Sequence, residues 1–273
     1  MKNLRILGLA VVAFLGITSM ASAADAGAAP SWTGWYIGAN AGGGWGHSNP
    51  GAVFKPTSRF DSAAADSTSK AMSGALGGFQ AGYNVQTGTF LFGFETDIQI
   101  TSQKSDAPSA VILTSQNLCL EPCVQPPPTV TKAPLDYVQK LPWLGTFRGR
   151  IGMTPSENWL VYATGGLAYG EVKTNATLTV APGVCLAPCT PTPGGSITGN
   201  FSQTRAGWVV GAGVETWLGG HWSGKVEYLH VDLGNIDNTF APIATYPFSG
   251  TLRASTRFTD DIVRVGVNYR FGG

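Results

Sequence analysis

The sequence predicts an all-β chain, an eight-stranded antiparallel up-and-down transmembrane β-barrel with short periplasmic turns and four long extracellular loops. Three observations predict it. The 273 residues hold 37 glycines and 11% aromatics but only 12% charged residues, about half the charged share of a soluble domain. Such a composition disfavours helix, in which each Gly costs about 1 kcal/mol relative to Ala, and suits a pleated surface. Eight segments alternate in polarity, each roughly 10–14 residues long, the length a tilted transmembrane strand needs. The connections between them alternate between short and long, the two-ended asymmetry of an outer-membrane barrel.

In chain order, Lys2 and Arg5 precede the apolar run from Ile6 to Thr18, and the small residues Ala21, Ser22 and Ala23 follow. This is the layout of a cleavable secretory signal, so residues 1–23 are expected to be removed after Ala23. The run is too short to cross a bilayer as a helix. Residues 24–34 are expected to form a short N-terminal periplasmic segment and residues 35–273 the barrel. Without the two signal bases, 15 Lys and Arg oppose 16 Asp and Glu, a formal charge of −1. No basic stripe appears, and no nucleic-acid partner is expected.

The alternating segments run from Trp35 to Gly46, Ala71 to Val85, Phe90 to Gln103, Leu141 to Met153, Trp159 to Val172, Thr204 to Trp217, Trp222 to Gly234 and Asp260 to Phe271. Residues 86–89, 154–158 and 218–221 make short turns. Residues 47–70, 104–140, 173–203 and 235–258 make long connections, which hold 14 of the 17 prolines and all four cysteines. A secreted β-sandwich is the soluble alternative.

The faces of the segments divide cleanly. Phe90, Phe92, Phe94, Ile98 and Ile100 share one face of the third segment, opposite Glu95, Asp97 and Gln99. Trp143, Phe147 and Ile151 oppose Arg148 and Arg150, Trp208, Val210 and Val214 oppose Glu215, and Val226 and Tyr228 oppose Lys225 and Glu227. In the last segment Val263, Val265, Val267, Tyr269 and Phe271 oppose Arg264, Asn268 and Arg270. In a closed barrel the polar faces share a narrow lumen, so Glu95, Asp97, Glu215 and Glu227 are expected to pair with Arg148, Arg150, Lys225, Arg264 and Arg270 in an ion network. Gly42, Gly44, Gly78, Gly82, Gly166, Gly170, Gly211 and Gly213 fall on the inner face and would make room for long neighbours. Trp35, Tyr36, Trp45, Trp143, Trp159, Trp208, Trp217, Trp222 and Tyr269 lie toward segment ends, where amphipathic rings prefer the headgroup level. Tyr162 shares parity with Gly166 and is expected inside.

The cysteines repeat the motif C-L-x-P-C, once at Cys119 and Cys123 and again at Cys185 and Cys189. An exported chain offers little to keep four thiolates reduced for zinc, and a catalytic redox pair takes C-x-x-C spacing beside a helix. Disulfides are the reading adopted, within each loop or across the two. Catalysis finds little support: a site needs a nucleophile or activated water, a base and an orienting group. The three histidines are scattered, His47 where the first segment enters its loop, His221 in a short turn, and His230 on the outer face with Asp232 two residues on. No catalytic residue, metal set or cofactor is expected.

The blocks WTGWYIGANAGGGWG, WLGTFRGRIGM, NWLVYATGGLAYGEV, GWVVGAGVE and VRVGVNYRFGG resemble, taken together, the alphaproteobacterial outer-membrane β-barrel surface proteins often named outer membrane immunogenic proteins. The resemblance spans the mature chain apart from its long loops. It implies an OmpA-type barrel in the cell outer membrane, both termini periplasmic and the loops extracellular, among outer-membrane lipid and lipopolysaccharide. It also implies that the barrel insertion machinery reads Tyr269 and Phe271 as a membrane insertion signal. Here Phe271 is followed by Gly272 and Gly273, where such barrels usually end on the aromatic residue. The function expected is a structural, surface-exposed barrel contributing to envelope integrity and meeting a host or environmental surface ligand. The alternatives are a small-solute porin and a ligand receptor such as a haemin-binding protein, for which His47 would be a thin source of axial ligation.

Overall fold

In the computed structural model the chain is described over residues 31–56, 60–65, 70–115, 129–180, 195–239, 243–245 and 248–271. The expected signal at 1–23, most of the segment at 24–34 and the two terminal glycines lie outside the described residues. So do all four cysteines, Cys119, Cys123, Cys185 and Cys189, and with them the expected disulfides. Ten strands follow in order: β1 (Gly34–Pro56), β2 (Phe60–Ala65), β3 (Lys70–Thr87), β4 (Phe90–Ser115), β5 (Thr129–Ser156), β6 (Trp159–Val180), β7 (Gly195–Gly219), β8 (Trp222–Thr239), β9 (Ile243–Thr245) and β10 (Phe248–Phe271). Each long strand pairs antiparallel with the next, and β1 pairs with both β3 and β10. That last pairing closes eight strands into a ring. The short strand β2 bridges the far ends of β1 and β4, and β9 pairs with β10.

One end of the ring carries two-residue turns at positions 88–89, 157–158 and 220–221. Gly88 and Gly220 sit there at φ +61° and +55°, a left-handed backbone that residues with a Cβ adopt only at a cost. The opposite end carries the long hairpins. There the strands run well past the alternating segments: β4 continues to Ser115 and β5 begins at Thr129, with Lys104–Ser115 paired against Thr129–Lys140. The alternation of polarity stops short of these strand ends, although the ladder continues. Bulges between Ile100 and Gln103 and between Lys140 and Trp143 mark the change on both strands.

The ring is apolar outside and charged inside. Phe79, Ile100 and Leu167 stand outward at 73%, 77% and 62% exposure, while Glu95, Arg148 and Lys225 are fully buried within. This polarity is the reverse of a sandwich core. Outward rings recur ten residues apart, Trp35 and Trp45 on β1, Trp159 and Tyr169 on β6. Ten residues on a tilted strand rise on the order of 25 Å, the height of an apolar band between two aromatic girdles.

Val265 lies midway along the band on β10, outward and partly exposed, opposite Ala41 of β1. Val265→Arg is expected to lower the unfolding free energy of vesicle-inserted protein by about 2–4 kcal/mol, read by urea titration. A change within about 0.5 kcal/mol would show that this face meets water.

Candidate functional site

Inward parity on eight strands points every second side chain at one axis, and three layers of them fill the ring. The middle layer is ionic. Glu95 on β4 accepts from both sides of the ring: Lys225 Nζ lies 2.8 Å from Oε1 and 2.9 Å from Oε2, Arg148 Nη2 also reaches Oε1, and Tyr36 Oη donates to Oε2 at 2.8 Å. Arg148 donates onward to Asp97 and Glu227, each at 2.9 Å. Arg264 Nε meets Glu227 at 2.8 Å and its Nη2 meets Asp97 at 2.9 Å. Glu215 joins Arg150 (2.8 Å), Arg270 (2.9 Å), Ser223 (2.7 Å) and Asn268 (2.8 Å). All nine charged residues named from the sequence are thus brought together, each at 3% exposure or less. Five cations face four carboxylates, and every one of them has an opposite charge in reach.

Glycine makes this possible at particular places. A Cβ on Gly82 would lie 2.3 Å from Tyr36 Oη, and one on Gly213 would lie 2.5 Å from Tyr162 Oη. The Tyr162 ring in turn lies under the Arg150 guanidinium at 3.9 Å, a cation–π contact sealed from water. Beside the ions, Asn40 donates to Gln80 (2.7 Å) and Gln80 to Asn268 (2.6 Å), which ties three strands into the same network.

Apolar layers close both sides. At the short-turn end Trp32, Leu91, Leu160 and Tyr162 cluster against Trp217. Trp32 is fully buried: its backbone N–H donates to Gln86 at 3.1 Å, its indole donates to the Glu157 carbonyl at 3.2 Å, and Arg270 stacks over its ring at 4.5 Å. At the long-hairpin end Met72, Leu76, Leu141, Leu144, Phe258 and Ile262 lead a larger cluster.

Two expectations are corrected here. Tyr36 and Trp217, read as boundary rings, point inward and pack around Arg150 and Arg270; parity, not nearness to a strand end, decides their side. His230 lies outward, as expected, and its Nδ1 lies 2.7 Å from Asp261, directly across the β8–β10 pairing. Asp232 accepts from Arg257 at 2.6 Å. Tyr269 and Phe271 remain outward, their rings 5.3 Å apart, with Trp222 5.2 Å from Tyr269. The candidate disulfide residues Cys119, Cys123, Cys185 and Cys189 belong to the long connections and are not among the described residues, so no disulfide is placed at this site. Among the described residues no cluster of His, Cys, Asp and Glu could hold a metal. Sequence reasoning missed Trp32, which precedes the first strand. It also missed the neutral inward set of Asn40, Gln80 and Gln103, which the parity already applied to charges would have caught.

A family model for the outer membrane protein β-barrel domain matches residues 10–271. The chain is 33% identical over 255 residues to the 31 kDa outer-membrane immunogenic protein of Brucella melitensis, covering 88% of this chain and 84% of that one. It is 28% identical over 134 residues to the 22 kDa outer membrane protein of Rhizobium leguminosarum, 48% of each chain. Among solved structures it is similar to the outer membrane protease OmpT of Escherichia coli, at a TM-score of 0.44 and 9% identity, over 87% of this chain and 97% of that one.

Glu95 is the place to test the ionic layer. Glu95→Ala removes one of the two carboxylates that Lys225 and Arg148 share, and is expected to cost about 3–5 kcal/mol of stability. Glu171→Ala, which breaks a solvent-facing pair with Lys173, should show no comparable loss in the same urea titration.

Proposed function

Because the chain belongs to the outer membrane protein β-barrel family, we propose that it is a structural, surface-exposed barrel whose lumen is closed to solutes. Its short turns and termini face the periplasm, and its long hairpins face outward, where they meet surface ligands. The observation that carries this reading is the filled lumen: three stacked layers of inward side chains, ionic between two apolar ones, with Trp32 sealing the short-turn mouth. A solute moving along the axis would have to displace both apolar clusters and part the ion pairs between them. Parting even one such pair strands a charge in a site of low dielectric, at a cost of several kcal/mol. The asymmetry of the two ends supports the orientation, since barrels of this class keep short turns inside and long loops outside.

Export under residues 1–23 belongs to the same proposal, as do disulfides formed by Cys119, Cys123, Cys185 and Cys189. Residues 35–273 then form the barrel, with Tyr269 and Phe271 as the outward rings presented to the insertion machinery. Purified, refolded protein in planar bilayers is expected to give no steady single-channel conductance. Large, stable conductance steps would sink the closed-lumen reading in favour of a small-solute porin.

A further inference from the structure

The outward face changes character beyond the apolar band at the long-hairpin end. Among the described side chains are four lysines. Lys225 lies in the lumen, and the other three, Lys104 on β4, Lys140 on β5 and Lys173 on β6, are exposed. The ladders set these three side by side: Lys104 is opposed to Lys140, and Lys140 to Lys173. Residues opposed in this way share a face, with Cβ atoms about 4.5–5.5 Å apart, and like charges so placed repel. Lys140 thus meets a lysine on each side. Among the described residues no carboxylate pairs with it. Glu171, on the same face of β6 as Lys173, pairs with Lys173 at 3.5 Å and also accepts from Ser202 of β7. Three ammonium groups held in register weaken the sheet, and an anion lying across them would restore what is lost.

Two features place this row at the headgroup of a lipid. Toward the band lies Trp143 of β5, opposite Ile100 on one side and Glu171 on the other, its ring 6.1 Å from that of Tyr169. Rings of this kind sit at the headgroup level. Lys173, farther along β6 than Tyr169, stands roughly 10 Å beyond that ring from the centre of the band. The second feature is a shallow groove on the same three strands at the middle of the band, where the acyl chains of one leaflet end. It has a volume of about 500 Å³ and is lined by Phe92, Gly149, Ile151, Ala163 and Gly165. Gly149 and Gly165 oppose each other across the ladder, so no side chain fills it there.

We propose that the row of Lys104, Lys140 and Lys173 binds the phosphate groups of an acylated glycolipid of the lipopolysaccharide class, with an acyl chain lying in the groove below. Assignment to the outer leaflet rests on the orientation proposed above, in which the long hairpins face outward. The shape of the row selects the ligand. Three cations across two strand spacings, about 10 Å, fit a headgroup with more than one phosphate and no cation of its own. A zwitterionic phospholipid brings a single phosphate already neutralised by its own ammonium group.

The test uses the full chain refolded in dodecyl maltoside micelles and titrated with lipid A, the bisphosphorylated anchor of lipopolysaccharide. Native mass spectrometry reads the fraction of barrels that carry lipid. Lys140→Gln is expected to weaken binding about five-fold, the contribution of one lysine near an anionic lipid surface. Replacing all three lysines with Gln should weaken it further, and Glu171→Gln, which removes the carboxylate beside the row, should tighten it. Phosphatidylethanolamine and inorganic phosphate should each bind more weakly than lipid A. Without lipid, Lys140→Gln should unfold at the wild-type temperature or above it, because a like-charge opposition has been relieved. Lipid A binding indifferent to the triple replacement, or matched by phosphatidylethanolamine, would overturn the site. A micelle has no inner or outer side, so this result stands apart from the orientation, which a protease added to intact cells tests at the long hairpins. Hairpins reached only from the periplasmic side would leave the binding in place and overturn its assignment to the outer leaflet.

Discussion

Everything inside this ring answers to one constraint: nine ionised side chains occupy a space from which water is nearly excluded. Removing an ion from water costs several kcal/mol even after relaxation, and attraction repays this only where geometry is good and the remaining hydrogen bonds are met. The structure meets the condition through hubs. Glu95 draws on Lys225, Arg148 and Tyr36, and Glu215 on Arg150, Arg270, Ser223 and Asn268, so that charges on β4, β5, β7, β8 and β10 are linked across the axis. Backbone ladders bind each strand only to its neighbours, whereas the links from Glu95 to Lys225 and from Glu215 to Arg150 and Arg270 join strands that share no ladder. They also fix register, because a slip of one residue would turn each strand's ions out into the apolar face.

The two apolar layers make sense against that background. Opposite charges attract weakly near a wet opening and more strongly where solvent is sealed out, which is what lets attraction offset the desolvation cost. Trp32 and its cluster seal one side, and the group led by Phe258 and Met72 seals the other. The seals and the ions are mutually dependent. The apolar clusters hold water away from the ions, and the ions hold the strands at the spacing the clusters need.

The parity of charged residues was legible from the sequence because it has a single physical cause, the two-residue repeat of a strand with unlike surroundings on its two faces. Alternation alone places Glu95, Arg148 and Arg264 on one side and Phe92, Phe147 and Val265 on the other. The strand ends were not legible. Past Gln103 on β4 and before Leu141 on β5 the polarity of the sequence no longer alternates in a regular way, although the ladder continues. Aromatic residues misled where position along the strand was weighed above parity, as with Tyr36 and Trp217. The hydrogen bond from Gln103 of β4 to Asp260 of β10 was hidden for a different reason: it joins residues 157 apart in sequence across two intervening strands, and only closure of the ring brings them together.

Closure has a consequence in time as well as in space. The first and last strands are each other's partners, with Trp35 opposite Phe271, and Arg270 reaches back 238 positions to the Trp32 carbonyl. Contacts of such separation form slowly and late, because the chain between them must already be arranged. Until β10 arrives, β1 presents a bare edge, the ionic layer lacks two of its five cations, and the short-turn mouth lacks the guanidinium that lies over its indole. A nascent chain therefore has no comfortable halfway state. The ring is complete only once its last strand has paired with its first.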